Sequence, residues 1–258
     1  IGALFLLIFL GSMTFDLSLL NAVTFMFTVI VSWSIFCMVM NNIRPGFALL
    51  KYGFAFLGGS LALLGVITLL TDFSLTLEIQ KYVELFVFQM KNNKEYTDLM
   101  GKGGKDAAIL KNMVSDPSYL TKEILSWLPS AYFMSVFITF WASIFLVLKN
   151  AFYWKGNYSY SYTIKDFIAF RAPYAFSWPL ILGLILSLIG DVVVGEVFQT
   201  IGFNLLYCLG TFFFFQGFGV FLDYLSDKKI EGLLKNFAIL MGLVFGWRIL
   251  VLVGLVDL

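Results

Sequence analysis

The feature that most constrains this chain is a series of apolar runs, each about as long as a bilayer is thick. A helix rises about 1.5 Å per residue, so roughly 20 consecutive apolar residues cover a hydrocarbon core of about 30 Å. Six stretches reach that length: 17–40, 46–70, 125–148, 174–195, 199–222 and 234–257. A seventh, 1–12, is shorter and reads either as a span with a missing start or as an interfacial or signal-like helix. Composition points the same way, with 60% hydrophobic and 13% charged residues, against about half and a quarter in a soluble domain. The expected fold is all-α: a polytopic transmembrane helical bundle of about seven spans, forming one integral membrane domain over 1–258.

Charge in the connections alternates. Residues 41–51 carry Arg44 and Lys51, residues 149–172 carry Lys149, Lys155, Lys165 and Arg171, and residues 223–235 carry Lys228, Lys229 and Lys235. The turns 13–16 and 191–198 carry only Asp16, and Asp191 with Glu196. Short basic loops stay on the cytoplasmic side. Seven alternating spans then put the N-terminus inside and the C-terminus outside, in a bacterial cytoplasmic membrane. The same alternation makes 71–124 extracytoplasmic. Within it, Leu75, Ile79, Val83, Phe86 and Met90 mark one face of an amphipathic helix. Lys102-Gly103-Gly104-Lys105 is a flexible break, and Asp116-Pro117-Ser118 opens a short helix through Trp127. This segment reads as a helical cap over the bundle, with a disordered loop as the alternative. Phe152, Tyr153, Trp154, Tyr158, Tyr160 and Tyr162, together with Trp127, Tyr132, Tyr174 and Trp178, fall where headgroups should lie and read as an aromatic belt.

Several chemistries lack their residues. There is no histidine, the commonest general base and metal ligand. Cys37 and Cys208 both sit in apolar runs and read as small buried hydrophobes. No Gly-rich loop ends in Gly-Lys-Ser/Thr, and no span holds paired acids or an arginine ladder. The chain is therefore expected to be no enzyme and to hold no metal or cofactor. With a net charge of +1 it has no field to hold nucleic acid.

Arg248 is the sharpest polar feature, because a cation inside an apolar span costs at least a few kcal/mol. Asp191, Glu196 and Asp16 are its candidate counter-charges. It serves either an anionic ligand or a buried ion pair that fixes helix register. Asn204, Gln216, Gln199 and Asn21 are the amides within spans, which bond either neighbouring helices or a ligand. The candidate ligand set is Arg248, Asp191, Asn204 and Gln216. Gly242 and Gly246 form a small-xxx-small pair, and Gly210, Gly217 and Gly219 line the sixth span, with Gly58, Gly59 and Gly65 in the third. Such residues let helix backbones approach, within the bundle or at a partner helix. Gly242, Gly246, Gly217 and Gly219 are the candidate packing or partner face.

Four local patterns carry a family resemblance: Trp127-Leu128-Pro129; Lys165 to Pro173 followed by Trp178; Phe215-Gln216-Gly217-Phe218-Gly219; and Gly254-Leu255-Val256-Asp257. In their order and spacing the chain resembles the YybS-like family of bacterial multi-span membrane proteins, best over 125–258. That family is in turn distantly similar to the substrate-binding subunits of energy-coupling-factor transporters. The resemblance implies a small-molecule site near the outer side, a covering loop and ATPase partner subunits inside. Those subunits typically have six spans where seven are counted here, and their small-residue coupling motif is not clear in the first span. A non-catalytic accessory or scaffold subunit of a larger membrane complex is the second expectation.

Overall fold

The computed structural model describes residues 19–93, 116–193 and 195–257. They form nine α-helices: α1 (Leu19–Met40), α2 (Pro45–Leu70), α3 (Leu75–Lys91), α4 (Pro117–Lys149), α5 (Ile164–Ile168), α6 (Ser177–Val193), α7 (Glu196–Asp227), α8 (Gly232–Val244) and α9 (Trp247–Val256). Short 3-10 turns lie at Ala151–Tyr153, Lys155–Asn157 and Tyr174–Phe176, and there is no strand among the described residues. An all-α reading is what long apolar runs require, because a helix satisfies its own backbone groups where no water can.

By length and composition, α2, α4 and α7 are each able to cross a membrane, and α8 with α9 counts as a fourth span if the pair is taken as one. The apolar stretches Thr24–Met40 and Tyr174–Ile189 are shorter. The expected count of seven is therefore not reached among the described residues. The candidate span 1–12, Asp16 and the break at Lys102–Lys105 lie outside them.

Three expected boundaries change. The run 234–257 is not one helix: α8 and α9 are bent by 89° at residues 245–246. Gly246 N donates to the carbonyls of Met241 and Gly242, at 3.3 and 3.0 Å, which closes α8 before the chain turns. The short helix from Asp116 and the span 125–148 are one 33-residue helix, α4. Its start is capped by Asp116 Oδ1, which accepts from the amides of Ser118 and Tyr119 at 3.0 and 3.2 Å. On α3, Val83 and Val87 are buried, with Ile79, Met90 and Leu120 packed against them. Phe86, expected on that face, is exposed.

The chain falls into two compact units: 1–56, 136–171 and 213–258 in the first, 57–135 and 172–212 in the second. The core of the first is aromatic. Trp141 stacks on Phe215 with centroids 5.2 Å apart and meets the edge of Phe218 at 4.9 Å. Phe137, Phe140, Phe167 and Phe213 are fully buried there. Each such ring pair contributes about 0.5–1.5 kcal/mol beyond its buried area. The connection after α4 is pinned to helix ends by its own rings: Trp154 Nε1 donates to Val147 O and the Tyr160 hydroxyl to Ile43 O, both at 2.9 Å. Burial pushes the Tyr160 hydroxyl well above the usual phenol range. Its neighbours Phe152 and Tyr153 point outward, as belt residues do.

In the second unit, Phe212 meets Phe176 at 5.0 Å and Phe133 at 5.7 Å. Here α6 and α7 touch through glycine: a Cβ on Gly202 would lie 2.5 Å from the Ser187 amide and 2.9 Å from the Gly183 carbonyl. Neither Gly183 nor Gly202 stood out in the sequence.

Candidate functional site

The first unit gathers polar residues into a joint between α7 and α9. Gln216 is buried, and its Nε2 donates to both the main-chain carbonyl and Oδ2 of Asp257, at 2.9 and 3.0 Å. The same carboxylate oxygen is paired with Arg171 Nη1. Asp257 caps the C-terminus of α9, where a helix dipole disfavours negative charge. The guanidinium and the amide donor offset that penalty. Glycines make the approach feasible: a Cβ on Gly217 would overlap the Leu250 carbonyl, and one on Gly254 would overlap the Phe213 carbonyl. Gly219 opens onto a different neighbour, the Ile168 carbonyl at the end of α5.

Three patterns far apart in sequence (Lys165–Pro173, Phe215–Gly219 and Gly254–Asp257) therefore meet at one place. Gln216 and Asp257 bond along α7 eleven residues before its end at Asp227, about 16 Å of helix. The last apolar segment thus meets α7 well inside its length, between Phe213 and Gly217. The expected small-xxx-small pair is not one packing face: a Cβ on Gly242 would lie 3.0 Å from the Phe221 ring, whereas Gly246 sits in the bend. Among the described residues, nothing lies within reach of a Cβ on Gly58, Gly59, Gly65 or Gly210, so no close packing is seen there.

Arg248 is exposed on α9, with its guanidinium 5.3 Å from the Trp247 ring centroid. It makes no ion pair among the described residues. Of its expected counter-charges, Glu196 pairs with Lys122. Asp191 lies on α6, but its side chain, like that of Asn21, is outside the description.

The second unit holds an open cleft of about 260 Å³ between the N-terminal turns of α4 and α7. Its lining includes Tyr119, Lys122, Glu123, Trp127, Glu196, Gln199, Thr200, Phe203 and Asn204. Lys122 Nζ and Glu196 Oε2 pair across it at 2.9 Å. Trp127 Nε1 donates to Glu123 Oε1 at 3.0 Å, and its ring meets Tyr207 edge-on. Gln199 donates to the Ser187 carbonyl at 3.4 Å. The cleft thus offers an ammonium, two carboxylates, amide groups and aromatic walls within one volume, the mixture that orients a small molecule.

Asn204 fixes one wall. Pro129 lies inside α4 and has no amide hydrogen, so the ladder is interrupted there. Asn204 Oδ1 accepts from Ser130 N at 2.9 Å, and Nδ2 donates to Ser126 O at 2.7 Å and Thr200 O at 2.9 Å. The amide brackets the proline and ties α7 to α4. Of the candidate ligand residues whose side chains are described, Asn204 alone lines the cleft, and Gln216 and Arg248 belong to the other unit. Nothing in sequence marks Lys122 and Glu123 as ligand candidates, since there they are two charges among many in the segment 71–124.

The family model described as "Predicted membrane protein (DUF2232)" matches residues 1–258. No curated protein and no solved structure matches the chain.

Proposed function

The chain belongs to the DUF2232 family of predicted membrane proteins, and from that premise we propose that it is the substrate-binding membrane subunit of a small-molecule transporter. The observation that carries this reading is the cleft between α4 and α7, open yet lined by both charge signs, amides and rings. The YybS-like pattern and its distant likeness to energy-coupling-factor substrate-binding subunits support it. In this reading the protein is multi-pass and non-enzymatic, sits in the bacterial cytoplasmic membrane, presents the cleft outward beside the 71–124 segment, and works with ATPase partners inside. A panel of vitamins, amino acids and other metabolites, screened by thermal shift on the purified full chain, tests it. One compound should raise the melting temperature, and Glu196→Gln should weaken that rise. A flat response across the panel, with no ATPase subunit co-purifying from mild detergent, would sink the proposal.

One observation favours a second reading, an accessory subunit of a larger membrane complex. Among the described residues nothing packs against Gly58, Gly59 and Gly65 on α2, and little covers the apolar part of that helix. A small-residue face of this kind suits a partner helix. Co-purification of a stable non-ATPase membrane partner, lost in Gly58→Leu, would favour it.

A further inference from the structure

We infer that the bend between α8 and α9 forms a docking site for the headgroup of an anionic phospholipid, with Arg248 as its cation. The argument begins with charge. Arg248 is exposed, has no carboxylate partner among the described residues, and stands in an otherwise apolar segment. Within the same unit Arg171 is already paired with Asp257. A guanidinium on an apolar membrane-facing surface requires a counter-anion, and its planar fork matches phosphate oxygens.

The surroundings fit lipid. Phe245, Trp247, Ile249 and Leu252 are exposed around the cation, and Arg248 lies beside the Trp247 ring. Such an aromatic-plus-cation edge is typical of the headgroup layer. Depth fits as well. The Leu250 carbonyl lies against Gly217, and the next acid along α7 is Asp223, six residues or about 9 Å further on. A long arginine side chain bridges a remaining gap of that order by snorkelling. The 89° bend makes this possible: a straight 234–257 helix would carry Arg248 past the bond between Gln216 and Asp257, deeper into the apolar part of α7.

The test uses the full chain in nanodiscs of phosphatidylcholine with and without a minor fraction of phosphatidylglycerol. Native mass spectrometry counts the lipids retained on release. Wild type should retain phosphatidylglycerol selectively and gain thermal stability from it. Arg248→Gln should lower that retention about five-fold, the effect of one basic residue near an anionic surface, while Arg248→Lys keeps most of it. The melting temperature of Arg248→Gln in phosphatidylcholine alone should match wild type, which separates lipid binding from a folding role. Equal retention of the two lipids by wild type overturns the inference, whatever the variants do. So does a stabilisation by inorganic phosphate as large as that by the lipid. A photocrosslinker at Phe245 that captures a protein from native membranes, and no lipid, overturns it in favour of a protein partner.

Discussion

In the first unit Gln216, Asp257 and Arg171 bond to one another under a lattice of stacked rings. In the second, Lys122, Glu123 and Glu196 face an open cleft. Both units draw on α7 and on the same ingredients: an amide, acids, a cation and close-packed glycines. The difference lies in what fills the space around them. In the first unit Trp141, Phe215 and Phe218 pack ring on ring, and Gln216 and Arg171 both spend bonds on Asp257. Around the cleft the rings of Tyr119, Trp127 and Phe203 stand aside, and polar groups keep spare bonding capacity. A polar group inside a bundle becomes joint or site according to the volume left beside it.

The largest expected effect breaks the joint. Gly217→Ala puts a methyl into the Leu250 carbonyl and should cost about 1–3 kcal/mol or more, read as a fall in melting temperature in detergent. Gly210→Ala, where a Cβ meets nothing, should be neutral or gain up to about 1 kcal/mol from helix propensity. Similar losses in both would mean that helix α7 is sensitive throughout and that the joint is nothing special.

Next comes Gln216→Leu, which removes a buried amide donor from the Asp257 carboxylate and carbonyl at a cost of about 0.5–1.5 kcal/mol. It should leave any ligand response at the cleft intact, and a lost response would erase the distinction between the two regions. Asn204→Ala is expected to be comparable in size, but with a signature of its own. In a double-mutant cycle with Pro129→Ala the two losses should be non-additive by about 0.5 kcal/mol or more, because the amide brackets that proline. Additivity would remove the bracket from the account.

The smallest effect is a pH dependence in the first unit. The Thr163 hydroxyl, then the Thr163 amide, holds the Asp166 carboxyl below its usual range, with Arg44 adding to this. A carboxylate with a lowered pKa stabilises the fold above the unfolded value of about 4 and loses that contribution as pH falls through the folded one. Hydrogen exchange at the α5 amides, corrected for intrinsic rates, should therefore rise on acidification below about pH 4, and in Asp166→Asn it should already be raised at neutral pH and change little on acidification.

Much of the helical scaffold was legible because length and hydropathy act locally. The expected runs 17–40 and 46–70 match α1 and α2 to within two residues at each end, and 125–148 and 199–222 fall inside α4 and α7. The break at Phe245-Gly246 was not legible. A glycine inside an apolar run is as compatible with a straight helix as with a bend. The α3 face came out one residue off, at Phe86 in place of Val87, because both positions suit a helical period and only Leu120 decides between them. Gln216, Gly217 and Gly219 were singled out in sequence. Their convergence with Arg171 and Asp257 was not, since those two are separated by more than eighty residues. Arg248 drew attention for its cost in lipid, which is physical, but the expected partner Glu196 was already engaged by Lys122.

The central claim is that the polar groups of the α4–α7 cleft serve a ligand while those of the α7–α9 joint hold helices together. Thr200→Trp tests it most directly, because Thr200 lines the cleft and its side chain takes no part in Asn204's bonds to α4 or in the joint. The account predicts that a compound stabilising wild type in the thermal-shift panel no longer stabilises Thr200→Trp, whose ligand-free melting temperature stays near that of wild type. An undiminished shift in Thr200→Trp would contradict it.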